Sequence, residues 1–467
     1  MAKKASTTKN KEKEAPHPHI LASYFLGALG KGTRRLRFFR GEFYRWNGRR
    51  YSSVSKAELR AMVTRFADEW AHSEASGYPF RITTSLVSNI IQALTGDTLV
   101  SEDVDLPAWV EPGGDPEKTF LSFENGLLDL NALLEGAEVI LRPATAAWLS
   151  TVTLPYKFDP KAQCPRWKTF LEQIFEGDEE RICLLQEWFG YLLTPNTTEQ
   201  KFLVFEGEGS NGKSVVCEVL TAILGEDNVS NVALEVIGER FQLTPTIGKL
   251  ANIVPEVGEL KSVPEGYLKA FTSGDRMYLD RKGLPGIQMR PTARLVLAVN
   301  NRPPFHDRSQ GLWRRMNLIP FNVTIPEGRQ DRNLVPDLKG ELPGILNWAV
   351  EGERRRRAQH GFTKPRICAE ALQEYRLEAN PARLFLTEQV EVSPDGTVRI
   401  DDLYAAYRAW CTESGCQYLS KQSFGKDVRR QFPKAVRERE GTGTRLWFYR
   451  GIRMLPSGEE SLHSQAA

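Results

Sequence analysis

The segment from Lys201 to Gly225, KFLVFEGEGSNGKSVVCEVLTAILG, constrains the fold more than any other part of the chain. KFLVFE reads as a short buried strand, and Val215, Val216, Val219, Leu220 and Ile223 recur at helical spacing until Gly225 stops them. Between strand and helix, the spacing Gly207-x-x-x-x-Gly212-Lys213-Ser214 fits a phosphate-binding loop, in which backbone N–H groups surround phosphates and a lysine reaches the terminal ones. Glycine permits close backbone approach, Lys213 offsets the charge of the β- and γ-phosphates, and the Ser214 hydroxyl is placed to ligate Mg2+. Gly207, Glu208, Gly209, Ser210, Asn211, Gly212, Lys213 and Ser214 together are the expected cradle of a nucleoside triphosphate. A glycine turn that binds nothing can share the spacing; the order strand, loop, helix separates the two.

Such a loop works with a carboxylate at the end of another buried strand. In KLANIVPEVGEL, Leu250 to Val254 form that strand, Pro255 closes it, and Glu256 sits at its carboxyl end. Glu259 follows, and Glu256 is preferred because it lies nearer the strand end, where the phosphates must be. ARLVLAVNN ends in Asn300, whose amide can face the γ-phosphate or the attacking water. GLWRRMNLIPF sets Arg314 and Arg315 before a further apolar strand; either is a candidate arginine finger from a neighbouring subunit, and a salt bridge on the sheet edge is the alternative. Strands alternate with helices from Phe202 to about Gly352, which implies a central α/β sheet.

A chain of 467 residues with 41% hydrophobic residues has room for about three domains. The net charge of +3 is unevenly spread: residues 31–51 hold eight Lys and Arg against one Glu, and residues 421–453 hold ten against three acids. Both regions suit an acidic polymer such as nucleic acid. Six cysteines without a signal peptide indicate a reducing, cytoplasmic compartment, and the lone close pair Cys411 and Cys416 gives no expected zinc site. No uncharged apolar run reaches the length of a membrane span.

Seven regions are expected. Residues 1–16 form a disordered basic tail, and 17–112 an α+β region whose Phe43, Tyr44 and Trp46 serve packing rather than base stacking. Residues 113–200 form a mostly helical module whose second helix is ended by Gly190 and the Thr194-Pro195 turn; 201–352 form the ATPase. A charged linker, 353–380, has Arg354 to Arg357 as a solvated helix end. Residues 381–455 contain a helix, the capped helix SKQSFGKDVRRQF and two strands around GTGT, the order of a winged helix, with Lys421, Lys426, Arg429 and Arg430 joined by Arg445 and Arg450 as phosphate contacts. Residues 456–467 are a disordered tail. Within the ATPase, the arms RMYL and GIQM flank DRKGLP, so Arg281 and Lys282 fall near a hairpin tip.

The ordered set GEGSNGKS, NIVPEVGE, LKAFTSGDRMYLDRK, RLVLAVNNRPPF and GLWRRMNLIPF resembles the superfamily 3 helicases, most closely the C-terminal half of phage and plasmid replicative primase-helicases. ENGLLDL and CPRWKTFLEQIF through LQEWFGYLLTP resemble the helical domain before the helicase, so the resemblance covers about residues 85–455. It implies an AAA+ P-loop ATPase core with a helical N-terminal module and a C-terminal winged-helix domain. It assigns Gly207, Gly212, Lys213 and Ser214 to the Walker A loop, Glu256 to Walker B, Asn300 to the sensor and Arg315, before Arg314, to the finger. It also implies ATP and Mg2+ as cofactors, single- and double-stranded DNA as partners, a hexameric ring, a separate primase or polymerase, and 3′-to-5′ translocation, with Arg281 and Lys282 on a channel hairpin that meets the DNA backbone. Pro255 departs from the pattern, since relatives usually carry a polar or acidic residue there. The region 17–112 has no acidic metal triad, so primer synthesis is not expected. The implied function is an ATP-dependent helicase or translocase replicating a phage, plasmid or other mobile element. Its rivals are an origin-binding or ring-loading factor and a DNA-triggered ATPase of a defence or mobility system.

Overall fold

The computed structural model describes residues 14–455 except 31, 77–78, 112–113, 115–117, 138, 259, 261, 306–309 and 440–445. Both expected tails, apart from 14–16, and Glu259 and Arg445 lie outside the described residues. The chain divides into two units, one drawn from Met1–Glu259, Pro264–Asn301 and Arg315–Pro365, the other from Leu260–Val263, Arg302–Arg314 and Arg366–Ala467.

The first unit opens with α1 (Pro18–Leu29), an antiparallel meander of β1 (Leu36–Phe39), β2 (Glu42–Trp46) and β3 (Tyr51–Val54), then α2 (Lys56–Ala71) and α3 (Thr84–Asp97). Ser55 and Thr83 cap the two later helices by accepting from Glu58 N and Leu86 N. Phe43 is buried in the core that Leu21, Leu59, Val63 and Ile90 form, while Tyr44 and Trp46 pack against the Phe39 and Tyr51 cluster. These aromatic residues are thus packing residues.

Next come β4 (Ala108–Trp109), the hairpin β5 (Phe120–Phe123) and β6 (Gly126–Asp129), α4 (Leu130–Glu135), β7 (Trp148–Leu149), α5 (Pro165–Phe175) and α6 (Glu179–Tyr191). The 113–200 region is therefore mixed rather than mostly helical. FLSFENGLLDL folds as a hairpin buried along both strands.

A five-stranded, all-parallel sheet follows, built from β8 (Phe202–Glu206), β9 (Val229–Ser230), β10 (Ala251–Val257), β13 (Arg294–Val299) and β14 (Met316–Pro320) in the order β14-β8-β13-β10-β9. Its inner strands are buried on both faces, as a parallel sheet covered by helices requires. Among its connections are α7 (Lys213–Leu224), α8 (Glu265–Ser273) and the hairpin of β11 (Met277–Arg281) and β12 (Leu284–Met289). After Asn301 the chain leaves for the second unit, where it forms α9 (Gln310–Trp313), and it returns at Arg315 to begin β14. Two helices, α10 (Leu334–Gly340) and α11 (Leu342–Ala358), complete the first unit.

Helix α6 ends at Tyr191, one residue past Gly190 and before the Thr194-Pro195 turn, and Gly190 also lies at a helix crossing. A Cβ on Gly190 would lie 2.2 Å from the Ala349 carbonyl oxygen, and one on Gly352 would lie 2.4 Å from Gln186 backbone, so both glycines let α6 and α11 touch backbone to backbone. Arg354 to Arg357 are not simply a solvated helix end, since Arg356 is buried, Arg354 and Arg355 are half-buried and Arg357 is exposed. Fully buried Glu187 accepts from Arg355 at 2.7 Å and from the Thr363 amide at 2.7 Å, and Glu353 accepts from Arg356 at 2.7 Å and Arg357 at 2.9 Å. Buried carboxylates need such partners, and these arginines supply them.

In the second unit α12 (Arg366–Glu378) is a helix where a linker is expected. Tyr375 on α12 lies under the Arg302 guanidinium at 5.3 Å and against Trp313 at 5.2 Å, while Arg302 pairs with Glu374 at 3.0 Å and Glu378 at 2.8 Å. Then come α13 (Pro381–Gln389), β15 (Val390–Arg399), α14 (Ile400–Glu413), α15 (Lys421–Gln431), β16 (Val436–Arg439) and β17 (Trp447–Met454), the strands forming an antiparallel sheet in the order β15-β17-β16. Helix α13 and strand β15 are additional to the expected elements. Asn380, accepting from Arg383 N, and Pro381 at the first turn are the start signals that α13 carries.

Candidate nucleotide site and basic surfaces

Three neighbouring strands bring the candidate residues to one edge of the sheet. Val299 pairs with Glu206 on one side and Val257 on the other, so the loop after β8, Asn300 after β13 and Glu256 near the end of β10 stand side by side. Asn300 holds the middle place. Between Val254 and Val257 the β10 strand carries one residue more than β13, a bulge containing Pro255 and Glu256. Proline lacks the N–H that a regular ladder would use, and the bulge is where that lack costs nothing. Both residues are exposed and line the same cleft as the loop.

The loop is held by its own side chains and by the segment after β14. Asn211 Nδ2 donates to the Phe321 carbonyl at 3.3 Å and to the Glu208 carbonyl, and the Ser210 carbonyl accepts from Ile325 N at 2.7 Å. Ser210 and Gly212 have φ of 59° and 90°. At Gly212 a Cβ would also meet Ile174 at 2.9 Å, so glycine is required there twice over. Lys213 is only 6% exposed, and its Nζ donates to the carbonyls of Gly207 at 2.6 Å and Glu208 at 3.0 Å and to Asn211 Oδ1 at 3.2 Å. Burial lowers its pKa. Ser214 at the start of α7 is exposed toward the cleft.

The cleft, about 460 Å³, has a second wall that no motif announces. It comprises Arg166, Phe170 and Gln173 of α5 together with Ile325, Arg329 and Leu334. Arg166 pairs with Asp331 and, at 3.6 Å, with Asp337, which fixes the 325–334 segment against α5. The loop amides, a lysine, an exposed hydroxyl, a carboxylate and an amide on one side, with an apolar and arginine-bearing wall opposite, fit a nucleoside triphosphate and a divalent cation. Among the described residues no group of three or more His, Cys, Asp and Glu could hold a metal ion without such a ligand.

Arg315 is not in this cleft. Its carbonyl accepts from Phe202 N at 2.8 Å and its guanidinium donates to Gln200 Oε1 at 3.4 Å, at the start of β8. The length of that five-residue strand, roughly 17 Å, separates it from the loop of its own chain. Arg314 is exposed in the turn before it.

The β11–β12 hairpin forms where expected, and Lys282 is exposed at its two-residue turn beside Gly283, whose φ is 74°. Arg281 does not accompany it. It shares the inward face with Met277 and Leu279, is 5% exposed, and its guanidinium donates to the Pro285 and Arg40 carbonyls and to Glu42. On α15 the apolar residues Phe424 and Val428 face inward with Asp427, leaving Lys421, Lys426, Arg429 and Arg430 exposed. Lys421 pairs with Asp401 and Arg430 with Asp427 at 3.3 Å. Arg450 is exposed on β17, 3.7 Å from Glu438.

The chain is thus a mixed α/β protein with a parallel sheet and helices around a P-loop-like core. A family described as D5 N terminal like matches residues 22–176, a family of unknown function (DUF5906) matches 205–315, and an RFX DNA-binding domain family matches 379–456. The chain is 24% identical over 347 residues to "Putative helicase L207/L206" of Acanthamoeba polyphaga mimivirus, covering 68% of this chain and 35% of that protein. It is 21% identical over 361 residues to "Putative helicase 121R" of Invertebrate iridescent virus 3, covering 68% of this chain and 38% of that one. It therefore spans little more than a third of the length of these relatives. A solved structure, the A form apo structure of the NrS-1 C terminal region, shares the fold with a TM-score of 0.50 at 13% identity, covering 94% of this chain and 100% of that one. The matched relatives are thus named as putative helicases, and the family matched at residues 379–456 is named for a DNA-binding domain. Among the described residues no helix is long and apolar enough to cross a membrane.

Proposed function

We propose that the chain is an ATP-dependent DNA helicase or translocase of the superfamily 3, AAA+ type, acting in replication of a mobile element. The observation that carries this reading is the side-by-side placement of the loop after Glu206, Asn300 and Glu256 at one sheet edge. Lys213 would exchange its loop carbonyls for the β- and γ-phosphates, Ser214 and Glu256 would hold Mg2+, and Asn300 would orient the attacking water. Mg2+, when bound, neutralises charge on the phosphates. Glu256 would take the proton from the water as it attacks in line. Arg315, remote from its own loop, would serve a neighbouring site in a ring, which a hexamer provides. The order α13, β15, α14, α15, β16, β17 supports a winged helix with α15 as its DNA-contacting helix. The test is strand displacement and DNA-stimulated ATP hydrolysis by the purified chain. A chain that hydrolyses ATP but neither responds to DNA nor separates strands would end the helicase reading.

Two variants sharpen it. Lys282→Ala is expected to remove strand displacement and DNA stimulation while basal hydrolysis stays near that of the parent, because the tip lies outside the nucleotide cleft. Wild-type strand displacement by this variant would exclude the hairpin tip as the DNA contact. Lys426→Ala with Arg429→Ala should weaken duplex binding for all sequences alike and reduce the salt slope of log K by about two, one per phosphate contact removed. An unchanged slope would move α15 away from DNA.

A further inference from the structure

The Arg281 side chain joins two parts of the first unit that are far apart in sequence. Its Nε donates to the Pro285 carbonyl at 3.0 Å across its own hairpin. Its two terminal nitrogens leave the hairpin, one donating to the Arg40 carbonyl at 2.6 Å and the other to Glu42 at 3.2 Å. Both acceptors belong to the turn between β1 and β2. That turn has Arg40 and Gly41 as its two central residues with φ of 50° and 83°, the double left-handed geometry of a tight hairpin turn. Left-handed backbone is unfavourable for arginine, and the Arg40 side chain is fixed by Asp105 at 3.2 Å and the Val104 carbonyl at 3.1 Å. The result is a carbonyl aimed out of the turn. A Cβ on Gly41 would stand in ordinary contact with the Arg281 guanidinium at 3.5 Å, so the glycine serves the left-handed turn rather than the approach.

We infer that Arg281 is a positioning residue that fastens the β11–β12 hairpin to the N-terminal meander, so that the reach of Lys282 is set by the N-terminal region. A guanidinium is suited to this because its planar fork holds three acceptors in fixed directions, whereas an ammonium presents its donors from a single point on a flexible stem. The part that concerns DNA rests on the helicase reading above; the fastening itself does not.

Arg281→Lys separates this role from a phosphate contact, since it keeps the charge and loses the fork. The full chain carrying Arg281→Lys, and separately Glu42→Ala, is examined by amide hydrogen exchange over residues 277–289 and by DNA-stimulated ATP hydrolysis. Both variants should exchange about tenfold faster across the hairpin and lose DNA stimulation severalfold, with an unchanged salt slope for DNA binding. The double variant should be no worse than the more impaired single one. Wild-type exchange and stimulation in Arg281→Lys would overturn the inference and return Arg281 to the role of a simple charge. If the parent chain shows no DNA stimulation, the helicase reading fails while hydrogen exchange still decides the fastening.

Discussion

Lys213→Ala is expected to lower ATP hydrolysis by about a hundredfold or more while the fold persists. On the proposed function the lysine amine faces the phosphates, and nothing else among the loop residues Gly207 to Ser214 is cationic. Its partners in the structure are the Gly207 and Glu208 carbonyls and Asn211, all within the loop, so its removal loosens the loop without opening the sheet. Phosphate release and circular dichroism measure the two halves of the expectation. A variant that hydrolyses ATP at the parental rate with an unchanged spectrum would show that nucleotide binds elsewhere.

The second large effect is expected from Arg315. Removing an arginine finger costs a factor of 10³ to 10⁵ in turnover as an order of magnitude, so Arg315→Ala alone should be nearly inactive. Because Arg315 sits at the start of β14 beside Gln200, it cannot reach its own loop, and an active site using it must combine two chains. Mixing the inactive Arg315→Ala and Lys213→Ala proteins one to one should therefore restore activity at about a quarter of the interfaces of a randomly assembled ring. No recovery, with mixed rings shown to form, would leave Arg315 as a structural partner of Gln200, and the same mixture made with Arg314→Ala would then decide the finger.

The candidate cleft divides into a wall that is legible from residue order and one that is not. Gly207 to Ser214, Glu256 and Asn300 each lie where a strand ends, and strand ends can be read from apolar runs and the glycines or polar residues that stop them. Arg166, Phe170 and Arg329 carry no such mark, since they reach the cleft only through the packing of α5 on the loop and the Arg166 pairs with Asp331 and Asp337. Gly190 and Arg281 show the same limit in sharper form. A glycine near the end of an apolar helix reads as a stop, and only the backbone of α11 beside it reveals a close crossing. An arginine before Lys-Gly in a hairpin reads as part of the tip, and only the alternation of buried and exposed positions along β11 turns it inward. In the second unit, α13 had its start signal at Asn380-Pro381, while β15 holds Ser393, Pro394, Asp395 and Gly396, residues that argue for a turn rather than a strand.

The excursion of the chain between Asn301 and Arg315 makes the end of β13 and the start of β14 two anchor points of a single strap. The strap belongs to the second unit, where Arg302 is pinned by Glu374 and Glu378 and Trp313 rests on Tyr375. One anchor carries Asn300 into the chain's own cleft, and the other carries Arg315, which lies outside that cleft beside Gln200. Asn300 and Arg315 therefore flank one and the same insertion in the sheet, the first at the carboxyl end of β13 and the second at the amino end of β14.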